Sequence, residues 1–313
     1  MRPTDLLDLP PDAIVVHGGM HKTGSSAIQN TLQANRGALA EAGWLYPRAG
    51  LVDQVATGHR HRTLMTEARD NILHPSWRQL HAELDGWHGR VLISHENFFS
   101  PQIDPLAVAA LMPDRPVYLL AYLRHPVDYV ESCYREWVRR WKYRHGIRTF
   151  YESRRDYLDV QALRDAWETT FGADRVLLRP YERDRLVGGT VLSDFVATLG
   201  LDAPLAPVPG IANESLSTSQ TLVHLVANRV AARASRRDEI SASLHRPLQP
   251  RRIADDGLVD ELTDRHLGAF RDVLREHGAP PGALADSAFA DLPADTLFTD
   301  PAAPHLVAEL LAD

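Results

Sequence analysis

Apolar runs of strand length alternate with stretches that read as helices over the first two hundred residues. Ala13 to His17, Arg90 to Ser94, Val117 to Leu123 and Arg175 to Leu178 are short and rich in Val, Ile and Leu, the pattern of strands buried on both faces. Trp44 to Tyr46 offers a further short strand. Between them Ser25 to Ala34, Val127 to Trp141 and Val160 to Thr170 have helical composition. Strands alternating with helices predict an α/β fold, a three-layer arrangement with a parallel sheet covered by helices on both faces. The pattern changes after Leu201, where Pro204, Pro207, Pro209 and Gly210 break the chain. Beyond the break, Ser217 to Ser235 and Asp260 to His277 read as helices, and Pro280 and Pro281 open a weakly patterned tail. The expected division is therefore an α/β core over 1–205 and a helical C-terminal extension and tail over 206–313, packed on the core.

Composition narrows the classes. The 313 residues are 44% hydrophobic and 24% charged, which excludes a disordered or collagen-like chain. The formal charge of -7 predicts no general attraction to nucleic acid or anionic membrane, so an anion site must be local. Cys133 is the single cysteine; it permits no internal disulfide and is expected to be a buried thiol. No apolar run approaches the length of a membrane span, and Asp5, Asp8, Pro10 and Pro11 interrupt the start where a secretory signal needs an apolar stretch. The expectation is a soluble, cytoplasmic protein. Of the 34 basic side chains only Lys22 and Lys142 are lysines, so each marks a place where a compact ammonium replaces the planar guanidinium used elsewhere.

Candidate chemistry gathers at the ends of the predicted strands. Gly19-Met20-His21-Lys22-Thr23-Gly24-Ser25-Ser26 joins the first strand to the first helix, where uncapped backbone N–H groups and the positive helix end favour an anion. The common nucleoside-triphosphate loop has Lys and Ser/Thr directly after its second Gly. Here Gly24 is followed by Ser25 and Ser26, and Lys22 precedes it, an order that argues against a Mg-ATP kinase. Arg124 ends another strand; Pro126 suits the first helical position and Ser132 lies about two turns into the helix that follows.

Together these two elements resemble the sulfotransferase family that uses 3′-phosphoadenosine 5′-phosphosulfate (PAPS), and are closest to its bacterial members. His21-Lys22-Thr23-Gly24-Ser25-Ser26 looks like that family's 5′-phosphosulfate loop, with serines in place of the usual threonines. Arg124 and Ser132 match its 3′-phosphate motif, and Arg179-Pro-Tyr181-Glu182 is similar to a third, weaker segment. The resemblance spans Ala13 to about Leu201, with a loose match around Asn213-Glu-Ser-Leu-Ser. It implies a P-loop-like sulfotransferase fold and transfer of the sulfuryl group of PAPS to a hydroxyl of a carbohydrate or small metabolite, releasing adenosine 3′,5′-bisphosphate. By the same analogy Lys22 stabilises the leaving group, Thr23 to Ser26 hold the 5′ phosphate, and Arg124 and Ser132 hold the 3′ phosphate. No metal is required.

An acceptor hydroxyl needs a base, and Ser94-His95-Glu96-Asn97 places candidates where open α/β sheets bind ligands. Glu96 is preferred by resemblance, with His95 second because imidazole titrates near neutrality, and His21 third. Gly58-His59-Arg60-His61-Arg62 would line an acceptor cleft or form a solvated loop; His59 and His61 lack the further ligands of a metal site. Arg135 to Arg148 interleaves Trp137, Trp141 and Tyr143 with cations, either to grip an acidic sugar or nucleotide or as an aromatic core face backed by a solvated one. A nucleotide kinase or NTPase with an atypical loop and a noncatalytic nucleotide-binding protein are the competing functions.

Overall fold

The computed structural model describes residues 8–52, 59–70, 74–206, 208, 216–230, 242 and 252–289. By contacts the chain groups into two compact units: one comprises Met1–Arg124, Asp159–Ile211 and Ala269–Leu284, the other His125–Leu158, Ala212–Gly268 and Ala285–Asp313.

The first unit is built on a parallel sheet of β1 (Ile14–Gly19), β2 (Trp44–Leu45), β3 (Arg90–Ser94), β4 (Val117–Leu123) and β5 (Val176–Pro180), in the order β2-β3-β1-β4-β5. All its pairings are parallel. Every residue of β1 is buried, as the continuous apolar run requires of a central strand covered on both faces. Alternation sorts the side chains: Val15, Leu92, Leu120 and Tyr122 share one core cluster with Ile28 and Leu32 of α1 (Ser25–Ala34), Leu39 of α2 (Arg36–Glu41) and Phe195 of α9 (Val191–Thr198). Helices α3 (Arg62–Asp70), α4 (Pro75–Leu84), α5 (Pro105–Leu111) and α8 (Val160–Phe171) also belong to the unit; α8 packs on β4, β5 and α5, and its buried Trp167 donates its indole N–H to the Phe98 carbonyl.

The topology positions the site. From β1 the chain runs outward to β2, returns through β3, and crosses to the other side of β1 for β4 and β5. The direction reverses around β1, so the exits of β3, β1 and β4 lie side by side at the carboxyl edge, the place where open α/β sheets hold ligands. In register, His17 pairs with Ser94, and Gly19 with Tyr122.

The second unit contains α6 (Pro126–Arg140), α7 (Ile147–Glu152), α10 (Thr218–Val230) and α11 (Asp256–Leu262). Pro126 opens α6 at its first position, and the His125 ring accepts from the Val127 N–H. Glu131 and Arg135, one turn apart and both fully buried, pair at 3.0 Å. Glu131 also accepts from the Ile253 and Ala254 N–H groups, and Arg135 donates to the Leu216 carbonyl. These buried charges are matched by fixed partners, the condition for ions removed from water. Cys133 is buried and outside any disulfide. The expected helix Asp260 to His277 divides into α11, a π-helical stretch Thr263–Leu267, and α12 (Gly268–Glu276). The expected Ser217 to Ser235 helix begins at Thr218 and can be followed to Val230, its last residues lying outside the described ones, as do Asn213 and Ser215. No helix of the described residues is long and apolar enough to cross a membrane.

Candidate functional site at the carboxyl edge of the sheet

Backbone geometry shapes the loop after β1. Gly19 has φ 128°, and a Cβ there would stand 2.9 Å from the Tyr122 nitrogen, so the loop can leave β1 alongside β4 only with glycine. Gly24 caps α1 with φ 80° and no side-chain cap; the first amides of the helix are left to be satisfied from outside the helix. Between them Lys22 takes φ 70°, an uncommon conformation for a residue with a Cβ. The Met20 N–H donates to the Tyr122 carbonyl at 3.1 Å, and the buried Thr23 hydroxyl donates to the Met20 carbonyl at 2.8 Å. Thr23 thus closes the loop with its hydroxyl proton. Ser25 is buried and Ser26 half-buried at the start of α1.

Arg124 stands against this loop. Its Nη1 donates to the Lys22 carbonyl at 2.7 Å, and its backbone N–H lies 3.4 Å from the Met20 sulfur. The guanidinium sits over the Tyr181 ring, 5.6 Å from its centroid, while Arg124 Nε is buried with no hydrogen-bond partner among the described residues. A buried donor without an acceptor is costly, and an anion would relieve it. Ser132 is buried within α6 of the second unit.

At the exit of β3, Glu96 is buried and meets the Arg60 guanidinium. His21 Nδ1 lies 3.8 Å from one carboxylate oxygen and His95 Nδ1 3.9 Å from the other. Burial alone would raise the Glu96 carboxyl; the facing His95, Arg60 and His21 side chains, of which Arg60 is always cationic, outweigh it and hold the acid well below the usual carboxylate range. A carboxylate held that low is a poor proton acceptor. His95 is 3% exposed, and its Nδ1 accepts from the Asn97 N–H at 3.0 Å, an arrangement of the neutral ring with its proton on Nε2. Burial, against the opposing charge of Glu96, lowers its pKa to about 4.

Beneath the edge lies a buried polar cluster that sequence reading missed. His17 Nδ1 and the Ser94 hydroxyl are 2.8 Å apart, Gln29 donates to the same hydroxyl, and His61 Nδ1 accepts from the Ser94 N–H. Burial lowers His17 to about 4 and His61 to about 3, so both are neutral at physiological pH. His61 is fully buried and Arg60 is drawn to Glu96; described residues 59–62 are therefore not a solvated loop, and Gly58 lies outside the described residues. No spacing rule connects His17, Ser94 and His61, which only the β1 and β3 pairing brings together.

In the third, weaker segment, Arg179 Nε and Nη2 donate to both oxygens of the fully buried Asp194 at 2.7 and 2.8 Å. Asp194 also accepts from the Tyr122 hydroxyl and the Val187 N–H. The Arg135 to Arg148 stretch is mixed, because Arg135 is core and Arg154 stacks over Trp137 at 3.9 Å, whereas Trp141 is 67% exposed. Among the described residues no group of three or more His, Cys, Asp or Glu side chains is arranged to hold a metal.

No protein-family model and no curated protein matches the chain. Among solved structures it is similar to a sulfotransferase from Alicyclobacillus acidocaldarius, with 18% identity over 70% of this chain and 93% of that one, and a TM-score of 0.38. At this identity and score the likeness assigns no activity.

Proposed function

We propose that the protein is a sulfotransferase that moves the sulfuryl group of PAPS to a hydroxyl of a carbohydrate or small metabolite. The observation that carries this reading is the junction of Lys22 and Arg124. One cationic side chain rides on a strand-to-helix loop with uncapped amides, and the other is bonded to that loop's backbone while keeping a buried donor with no partner among the described residues. Two anion-binding elements side by side suit a nucleotide with phosphates on two carbons of one ribose. They also carry the motifs that resemble the family's donor-binding segments.

The donor supplies an activated sulfuryl group and a stable bisphosphate leaving group. The α1 amides, with Ser25 and Ser26, would bind the 5′ phosphate. Lys22 would offset the charge that grows there as the bond to sulfur breaks, an electrostatic contribution larger in the transition state than in the ground state. Arg124 would hold the 3′ phosphate, its Nε finding an acceptor. Glu96 and its neighbours at the adjacent strand exit would face the acceptor hydroxyl.

The reading is tested by incubating the protein with 35S-labelled PAPS and a panel of sugars and simple alcohols. Labelled sulfate in an acceptor, with Lys22→Ala lowering kcat more than donor affinity and Arg124→Ala mainly raising the donor KM, supports it. Binding of Mg-ATP with no affinity for adenosine 3′,5′-bisphosphate would refute it.

A further inference from the structure

The carboxyl edge holds more than one group able to take a proton, and their surroundings differ sharply. We infer that His21 takes the acceptor's proton, with Glu96 and Arg60 as the residues that position and charge-balance it; this rests on the sulfuryl-transfer reading above. Three observations lead there. Glu96 is committed to Arg60 in a contact that leaves its side chain 7% exposed, so it serves better as a fixed negative charge than as a base. His95 is equally buried, and its Nδ1 is engaged by the Asn97 amide. His21 is the one of the three with substantial access, its side chain 33% exposed. It directly precedes Lys22 in the loop, one residue from the cation proposed to meet the leaving group.

The His21 ring lies with Nδ1 toward Glu96 Oε1, at 3.8 Å. The carboxylate thus lies on the Nδ1 side of the ring, the side from which the acid orients the imidazole in hydrolytic triads. Among the described residues, Arg60 and His95 share the Glu96 carboxylate with His21, and Lys22 follows it in its own loop. In the step, the acceptor O–H proton passes to His21 Nε2 as the oxygen forms its bond to sulfur. The bond between sulfur and the 5′-phosphate oxygen breaks, and its electron pair leaves on that oxygen beside Lys22. The proton then passes to solvent. Arg60 keeps Glu96 ionised throughout, so the negative charge is already in place when the ring becomes positive.

The experiment uses the full chain with PAPS as donor and, as acceptors, the alcohol panel and water, whose attack releases inorganic sulfate. Each variant is also checked for thermal stabilisation by adenosine 3′,5′-bisphosphate. His21→Asn and His21→Gln are expected to lower kcat by about 100-fold or more while the bisphosphate shift and the donor KM stay within about threefold. Both should also remove the ascending limb of the kcat–pH profile. Glu96→Gln is expected to lower kcat while that limb remains. A kcat within threefold of wild type in both His21 variants would overturn the assignment. So would a limb that survives in His21→Asn and vanishes in Glu96→Gln, which would return the base to Glu96. Wild-type protein that binds the bisphosphate and transfers sulfate normally alongside an unaffected His21 variant sinks this inference alone; wild-type protein that neither binds nor turns over either nucleotide sinks the sulfuryl-transfer reading as well.

Discussion

Replacing Asp194 with Asn removes the charge at the centre of a buried network while keeping its shape. Asp194 has no solvent exposure and accepts four hydrogen bonds, from Arg179 Nε at 2.7 Å, Arg179 Nη2 at 2.8 Å, the Tyr122 hydroxyl at 2.8 Å and the Val187 N–H at 3.0 Å. Breaking a buried ion pair by neutralising one partner costs about 3–5 kcal/mol, since the other charge is stranded. The Arg179 side chain is 12% exposed, so water screens little of that charge, and Asn still accepts through its carbonyl oxygen. The expected loss for Asp194→Asn is therefore at the low end, about 3 kcal/mol, with Asp194→Ala costing more. Arg179→Met combined with Asp194→Asn should cost less than the sum of the single changes, because the double variant strands neither charge. Urea unfolding followed by tryptophan fluorescence reads the change, with Trp44 and Trp167 buried in the same unit. A cost under about 1 kcal/mol would refute the structural role of the pair. Unchanged stability with weakened bisphosphate binding would assign Arg179 a ligand role instead.

Acid should destabilise the protein steeply. His17, His61 and His95 are held by burial at about 4, 3 and 4, whereas an unfolded histidine titrates near ~6.5. From about pH 6.5 down to about 4 the unfolded chain therefore binds up to three protons that the folded one does not, and stability falls with pH by up to about 4 kcal/mol per unit. It is fully present above this window; a melting temperature flat from pH 7 to 4.5 would contradict the burial of these rings. Gly24→Ala places a Cβ 2.7 Å from Val191 Cγ1 at φ 80°, while Gly43→Ala, at φ 78°, meets nothing within 4 Å. Gly43→Ala should cost about 1 kcal/mol for the left-handed backbone alone, and Gly24→Ala more, with weaker bisphosphate binding; equal costs in calorimetry would remove the packing argument. Trp141→Ala, at an exposed position, should change stability by less than about 0.5 kcal/mol in the same assay.

How far the sequence could be read follows from the range of the interactions involved. The strands were legible because burial on both faces writes a continuous apolar run, and Arg90–Ser94 and Val117–Leu123 lie where that run predicts. Helix α1 spans Ser25–Ala34 as expected, since a glycine and hydroxyl residues mark its start locally. Lys22 and Arg124 stood out for the same reason, as each sits at the end of a strand signal. Arg60 meeting Glu96, Asp194 claiming Arg179, and His61 folding under Ser94 are different in kind. Each joins residues 15 or more positions apart through the packing of separate elements, with no periodicity to announce it. The unit boundary after Arg124 is likewise invisible, because Arg124-His125-Pro126 carries a local signal for a helix start and none for a change of unit.

Lys22 and Arg124 are proposed to hold one nucleotide bearing phosphates on both the 3′ and 5′ positions. This is tested most directly by the thermal stability of the wild-type protein, Lys22→Ala and Arg124→Ala, each titrated with adenosine 3′,5′-bisphosphate and separately with Mg-ATP. A ligand that prefers the native state stabilises it by about 2.7 kcal/mol at a hundredfold excess over Kd. The bisphosphate is expected to raise the wild-type melting temperature, Arg124→Ala to abolish most of the rise and Lys22→Ala to retain much of it, with Mg-ATP giving little. A rise with Mg-ATP alone, or a bisphosphate response untouched by Arg124→Ala, would contradict the proposal.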